Sequence, residues 1–186
     1  LPEEKVRRAY SFTSGPYDDF LEFSSIKVPN GPLTSQLKYI EPGKFLAVSD
    51  KPTGTLTLAN LELGGHLWLM ATGTGIAPYI SLLRDPNTFD AFDKITVCWT
   101  VSNKKDLRSY NEFLEENDVT YFPTVTREEF KNQGRITKYI DGGMWDDITP
   151  SNDKIMICGS LEFNKEMKER LVAKGFEAVS YTHLRA

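Results

Sequence analysis

Two glycines interleaved with two threonines carry the clearest chemical signal in this 186-residue sequence. Residues 67–71 are apolar, Thr72-Gly73-Thr74-Gly75 follows, and apolar residues return at helical spacing after Pro78. This reads as strand, tight turn and helix. Such a turn presents backbone N–H groups and a helix N-terminus to a phosphate. The pattern is G-x-G-x-x-P rather than G-x-G-x-x-G, and taken alone it is better read as a turn that needs glycine for its backbone angles. Pro78 suits a first helical turn, where its missing N–H costs nothing. Cys158-Gly159-Ser160 repeats the logic, with a buried strand, a glycine, and a serine that caps the next helix. Ligands of α/β sheets sit beyond the carboxyl ends of the strands, and both turns lie at such ends.

Two arginines stand just past a third strand, Arg127 in T-V-T-R-E and Arg135 in Q-G-R-I-T. A guanidinium fork matches phosphate oxygens bidentately. Either arginine alone reads as a surface ion pair with Glu128, Glu129 or Asp141. Two beside a nucleotide crevice point to NADP(H) rather than NAD(H), because of the extra 2′-phosphate. Near the start, Arg8, Tyr10 and Ser11 bring a cation, a flat ring and a hydroxyl together, with Arg8 and Tyr10 on one face of a strand. That face could stack on a cofactor ring; the plain alternative is a half-buried strand with an exposed arginine. His66 and His183 have no nucleophile or acid partner in sequence. Asp18-Asp19 and Glu115-Glu116 read as solvated charges. G-x-S-x-G is missing. Cys98 and Cys158 read as buried thiols of a reducing compartment, and without C-x-x-C or a Cys/His cluster no metal site is expected.

These residues need elements to hold them. The first part reads as β-rich: strands over 4–13, 20–28, 44–49 and 55–58, with a short helix over 33–40. The second part alternates. Strands are expected at 67–71, 94–101, 119–125, 154–158 and 176–180. Helices are expected at 76–84, 106–117, 135–139 and 160–173, the last stopped by Gly175. Fully apolar strands alternating with helices mean a parallel sheet covered on both faces.

Composition is ordinary for a globular protein, with 40% hydrophobic and 26% charged residues, enough for a sizeable core. A net charge of −4 argues against a general nucleic-acid binder. No apolar run reaches transmembrane length, so no stable membrane association is expected. The chain opens at Leu1 almost inside a strand, and its last residues have neither period nor capping logic. We expect a piece truncated at both ends, with 179–186 a non-native or read-through tail.

Seven motifs in order resemble the bacterial ferredoxin/flavodoxin–NADP+ reductases: R-A-Y-S (8–11), E-F-S-S-I-K-V-P-N-G-P-L-T-S (22–35), K-P-T-G-T-L (51–56), A-T-G-T-G-I-A-P (71–78), V-T-R-E (125–128), G-R-I-T (134–137) and M-I-C-G-S (156–160). The resemblance runs from about residue 5 to about residue 176. It implies an α/β plus β fold: a truncated FAD-binding antiparallel β-barrel over 1–64, then a Rossmann-like NADP-binding domain over 65–178. It also implies hydride transfer from NADPH to FAD and single electrons passed to ferredoxin or flavodoxin, in a cytoplasmic monomer. In this reading Arg8 holds the FAD pyrophosphate, with Ala9 in the same stretch, Tyr10 stacks on the isoalloxazine and Ser11 lies near its N5. Ser24, Ser25, Ile26 and Lys27, with Pro32, Leu33 and Thr34, contact the ribityl and diphosphate part. Thr72 lies where flavin and nicotinamide meet, and Gly73, Thr74 and Gly75 flank the NADP pyrophosphate. Arg127 and Arg135 hold the 2′-phosphate. Cys158 packs near the nicotinamide C4, with Gly159 and Ser160 beside it. Ser11 and Cys158 thus position reactants rather than act as acid, base or nucleophile. Where the family usually has an arginine after the second apolar strand, Ser102-Asn103 stand here, followed by Lys104 and Lys105. Without the family's first barrel strands and last segment, this piece is expected to bind FAD poorly and its full-length parent well. Another flavin reductase, such as an oxygenase reductase component, and a cofactor-free nucleotide-binding module are the alternatives.

Overall fold

A computed structural model describes residues 6–28 and 30–177, and the backbone of 181–183. Five strands, β1 (His66–Thr72), β2 (Lys94–Val101), β3 (Thr120–Val125), β4 (Asp153–Gly159) and β5 (Tyr181–His183), form one parallel sheet in the order β3-β2-β1-β4-β5. Thr72 lies opposite Thr100, and Ala71 opposite Cys158, so the strands end at one level. The chain steps outward from β1 through β2 to β3 and then returns to β4. Strand order therefore reverses beside β1, where parallel sheets open their ligand crevice.

Period-2 alternation sends each strand into two cores. Leu67, Leu69, Val97 and Trp99 pack on one face with Ile76, Tyr79 and Ile80. Trp68, Met70, Cys98 and Ile157 pack on the other with Ile136, Trp145, Phe163 and Met167. Burial on both faces is why these strands read as unbroken apolar runs.

The helices are α1 (Thr34–Leu37), α2 (Ala77–Leu83), α3 (Pro86–Asp90), α4 (Asn111–Glu116), α5 (Ile136–Tyr139) and α6 (Leu161–Ala173). A 3-10 turn, Gly73–Ile76, leads into α2, whose first turn holds Pro78. Ser160 caps α6 by accepting from Phe163 N at 3.2 Å. Past its end Gly175 takes φ +86°, and Phe176 N donates back to Leu171 O at 3.0 Å, a glycine stop.

Three expectations change. The helix over 106–117 splits, because Asn103 and Asp106 close a capping box on a 3-10 turn, Lys104–Leu107, and α4 starts only at Asn111. The helix over 33–40 contracts to α1. Of the strand over 176–180, Phe176 and Glu177 lie in no strand and Ala178–Ser180 lie outside the described residues, while β4 pairs with β5, inside the segment read as a tail.

Of the truncated barrel expected over 1–64, the described residues show little strand pairing. Phe12 and Phe23 make a single antiparallel bridge, supported by Thr13 N donating to Glu22 O at 2.8 Å. Alternation sets a strand's faces, but only a neighbour's backbone completes its ladder. Residues 44–49 and 55–58 pair with no such neighbour among the described residues, and Phe45, Leu46 and Val48 stay exposed. The segment is nevertheless docked on α2. Ser81 Oγ donates to Ser14 O at 2.6 Å, and Arg84 meets Asp18 and Glu22 at 3.5 Å each.

Candidate functional site

The carboxyl ends of β1 and β4 meet through three small contacts. Thr72 Oγ1 accepts from Ser160 N at 3.2 Å. A Cβ on Gly159 would come within 2.2 Å of that hydroxyl and 2.7 Å of the Phe163 ring. A Cβ on Gly75 would strike the Cys158 carbonyl oxygen at 2.1 Å. These glycines are needed for close approach. Gly73 is needed for its backbone, at φ +52° with open space where a side chain would be. The Gly73 carbonyl is fixed by Trp99 Nε1, which donates to it at 2.8 Å.

A cleft of about 840 Å³ opens above these ends. Its walls bring together Arg8, Ala9, Tyr10, Ser11, Ser24, Ser25, Ile26, Pro32, Leu33 and Thr34 from the first segment with Thr72, Gly73, Thr74, Gly75, Arg127, Arg135, Gly159 and Ser160 from the sheet. Two residues singled out in sequence are not on the wall. Lys27 is exposed elsewhere, and Cys158 is fully buried beneath it. Burial pushes the Cys158 thiol up to about 12, so it stays protonated at neutral pH and is no nucleophile. Tyr10 is held by Ser25 Oγ at 3.2 Å from its hydroxyl and by the Phe23 ring at 4.9 Å. Thr34 Oγ1 donates to Val28 O at 3.2 Å, which shapes the turn before α1.

The two arginines differ. Arg127 is exposed, and among the described residues its guanidinium has no hydrogen-bond or ion-pair partner. Its backbone is tied to the end of β2 by N–H donation to Ser102 O at 3.0 Å. Arg135 is paired, though not with the acids expected: its Nη1 lies 3.6 Å from Glu162 and 3.5 Å from Glu166, both on α6. Between the arginines, Thr100 Oγ1 shares a 2.7 Å hydrogen bond with Thr124 Oγ1 and accepts from Ile136 N at 3.3 Å, which pins the start of α5 to β2. Ser102 lines the cleft, and Lys104 and Lys105 do not.

Sequence reading missed Trp99, Glu162 and Glu166. Trp99 sits in an apolar strand and looks like core, and its N–H partner is 26 residues away. The glutamates look like an ordinary solvated helix face. Only their i, i+4 spacing just past a capped strand end hints that both could face one ligand.

A parallel sheet with glycine turns and two arginines at its carboxyl edge is the architecture of a nucleotide-binding α/β module. Residues 69–169 match the family described as the oxidoreductase NAD-binding domain. The chain is 41% identical over 189 residues to ferredoxin–NADP reductase A of Sorangium cellulosum, covering 91% of this chain and 68% of that one. It is also 41% identical to the flavodoxin/ferredoxin–NADP reductase of Rhodobacter capsulatus, over 91% of this chain and 70% of that one. The fold superposes on a crystal structure of a ferredoxin NADP+ reductase from Neisseria gonorrhoeae with bound FAD and NADP. The TM-score is 0.89 at 25% identity, covering 96% of this chain and 80% of that one. The chain belongs to the ferredoxin–NADP reductase family. No helix among the described residues is long and apolar enough to cross a membrane.

Proposed function

We propose that this protein takes a hydride from NADPH onto FAD and hands single electrons to ferredoxin or flavodoxin. The observation that carries the reading is one cleft walled both by the Arg8–Ser11 stretch and by the strand ends that bear Thr72, Gly159 and the two arginines. When bound, FAD supplies the hydride-accepting and one-electron chemistry.

The residues present fit that group. Tyr10 offers a flat ring fixed at its hydroxyl by Ser25, suited to lie against a flavin face. Arg8 offers a guanidinium at the same wall for a diphosphate, and Ser24, Ser25 and Thr34 offer hydroxyls for a polyol chain. Gly73 leaves open space over its backbone where a diphosphate can approach, Gly75 lets the turn pack on the end of β4, and the Ser160 cap holds the start of α6 at the same cleft. Arg127 and Arg135 select the 2′-phosphate. Thr72 sits between the two halves. Cys158 supports the nicotinamide side from below as packing, and Ser11 sits by the flavin as a neutral hydroxyl.

Full-length protein purified with added FAD should be yellow. NADPH should bleach it and ferredoxin or flavodoxin should restore the colour. A full-length protein that holds no flavin, or whose flavin ignores NADPH, would refute the reading.

A further inference from the structure

We infer that Glu162 and Glu166 set the strength and selectivity of the nucleotide site by competing with the 2′-phosphate for Arg135. The inference rests on the reading of Arg135 given above.

The geometry is specific. Glu162 lies in the first turn of α6 and Glu166 one turn later, so both reach one side of the helix. Each places a carboxylate oxygen near the same guanidinium nitrogen, Nη1 of Arg135, at 3.6 and 3.5 Å. All three side chains line the 840 Å³ cleft. Two carboxylates on one arginine offer the charge and the oxygens that a phosphate monoester brings. The arginine expected to read the ligand is therefore already occupied by a substitute built into the protein. Arg127, on the same cleft, carries no such pair among the described residues.

The pairs lie at the surface, with side-chain accessibilities of 59% for Arg135, 68% for Glu162 and 32% for the half-buried Glu166. Ion pairs in that setting are weak and easily displaced. A 2′-phosphate can therefore take Arg135, but it must first displace both carboxylates from it. A nucleotide without the 2′-phosphate does not meet that cost. The glutamates thus weaken NADP(H) without weakening NAD(H), and favour release of NADP+ after hydride transfer. Salt screens such exposed charges, so the effect shrinks as ionic strength rises.

The test is calorimetric titration of the purified chain with adenosine 2′-monophosphate, and with adenosine 5′-monophosphate as control. The proteins are wild type, Glu162→Gln/Glu166→Gln, Arg135→Ala and the triple variant, with melting curves to show that each is folded. The double variant should bind the 2′-phosphate about three- to tenfold more tightly, the range one or two exposed ion pairs correspond to. The 5′-phosphate should be unaffected. The gain should disappear in the Arg135→Ala background and fade at high salt. Unchanged or weaker 2′-phosphate binding in the double variant, with Arg135→Ala still weakening it, overturns the competition and leaves the role of Arg135 standing. A gain that persists without Arg135 overturns it too, since plain repulsion then accounts for it. If Arg135→Ala does not weaken 2′-phosphate binding, the reading of Arg135 itself falls.

Discussion

The hydroxyl of Thr72, the last residue of β1, accepts a hydrogen bond from the backbone N–H of Ser160, the residue before α6, across 3.2 Å. Between them stands Gly159, whose Cα faces that same hydroxyl with no room for a methyl group. This joint sets the spacing of the two strand ends that form the cleft floor. Gly159→Ala should force Thr72 and the Phe163 ring apart and destabilise the fold by about 1–3 kcal/mol, as overpacking does. It should also weaken NADP+ binding. Thr72→Val should cost about 1 kcal/mol, the usual value of one hydrogen bond, while Thr72→Ser keeps the acceptor and most of the stability. Urea unfolding of the three variants checks the order.

Arg127 and Arg135 should not contribute equally. Arg127 meets a phosphate with no protein partner to release, whereas Arg135 must first leave Glu162 and Glu166. A charge-assisted hydrogen bond is worth about 1.5–3 kcal/mol, or roughly 10- to 100-fold in affinity. Arg127→Ala should therefore raise KM for NADPH toward the upper part of that range and Arg135→Ala toward the lower. KM for NADH should barely move in either. Steady-state kinetics with both nucleotides decides this, and equal losses for NADPH and NADH would refute a 2′-phosphate role.

How much of this was readable in sequence depends on where each residue's partners lie. The three inner strands, β2, β1 and β4, were legible because burial on both faces writes an apolar run into the sequence. The turns at Thr72–Gly75 and Gly159-Ser160 were legible because glycine and capping rules are local. The Ser160 cap and the Gly175 stop lie where those rules place them. The pairing of the truncated barrel was not legible, because strand alternation carries no information about the partner strand, and residues 44–49 find none among the described residues. Trp99 and the Glu162–Arg135–Glu166 group were illegible for the same reason. Their roles come from contacts at long sequence separation, such as the 26 residues between Trp99 and Gly73.

Trp99 gives a direct check on the glycine turn. Its indole N–H is the donor that holds the Gly73 carbonyl, so Trp99→Phe keeps most of the apolar bulk and removes that bond. The loss should be about 1 kcal/mol or more, since the carbonyl is left without its donor. NADP+ affinity should fall by more than the fold's stability alone would require, because Gly73 lines the cleft. Denaturation midpoints together with NADP+ titration of Trp99→Phe separate the two effects.

The buried thiols predict alkaline behaviour. Burial pushes both Cys98 and Cys158 from 9.0 up to about 12. Below pH 9 the folded and unfolded chains both keep these protons. Above it the unfolded chain releases protons that the folded chain retains, so stability falls as pH rises. Each thiol adds to a decline that sets in above pH 9. Cys98→Ala/Cys158→Ala should lower stability at neutral pH through lost packing but show a shallower decline between pH 9 and 10. Urea midpoints across that interval test it. Native protein should also resist thiol reagents at pH 8 and react once unfolded.

At the opposite edge of the sheet, His66 and Asp153 predict the acid limb. The Asp153 carboxylate, almost fully buried, accepts from Trp68 Nε1 at 2.9 Å and from Thr149 N at 2.8 Å, and lies 3.5 Å from His66 Nδ1. His66 Nε2 is bonded to Thr96 Oγ1 at 2.7 Å. Burial, followed by the nearby Lys94, holds the imidazole below its ordinary 6.5, against the opposing pull of Asp153. As pH falls through 6.5 the unfolded chain takes up a proton before the folded chain does, so stability declines on the acid side. His66→Gln should flatten that decline. Asp153→Ala removes the acceptor for two donors at once and should cost about 2–4 kcal/mol at pH 7.5, because unpaired buried donors carry their full desolvation penalty. Asp153→Asn keeps one acceptor and should fall between. It also removes the charge that helps His66 hold a proton, so its acid decline should be steeper than that of wild type. Denaturant titrations at pH 7.5 and 5.5 on the four proteins separate these effects, and parallel acid limbs throughout would show that His66 contributes nothing to them.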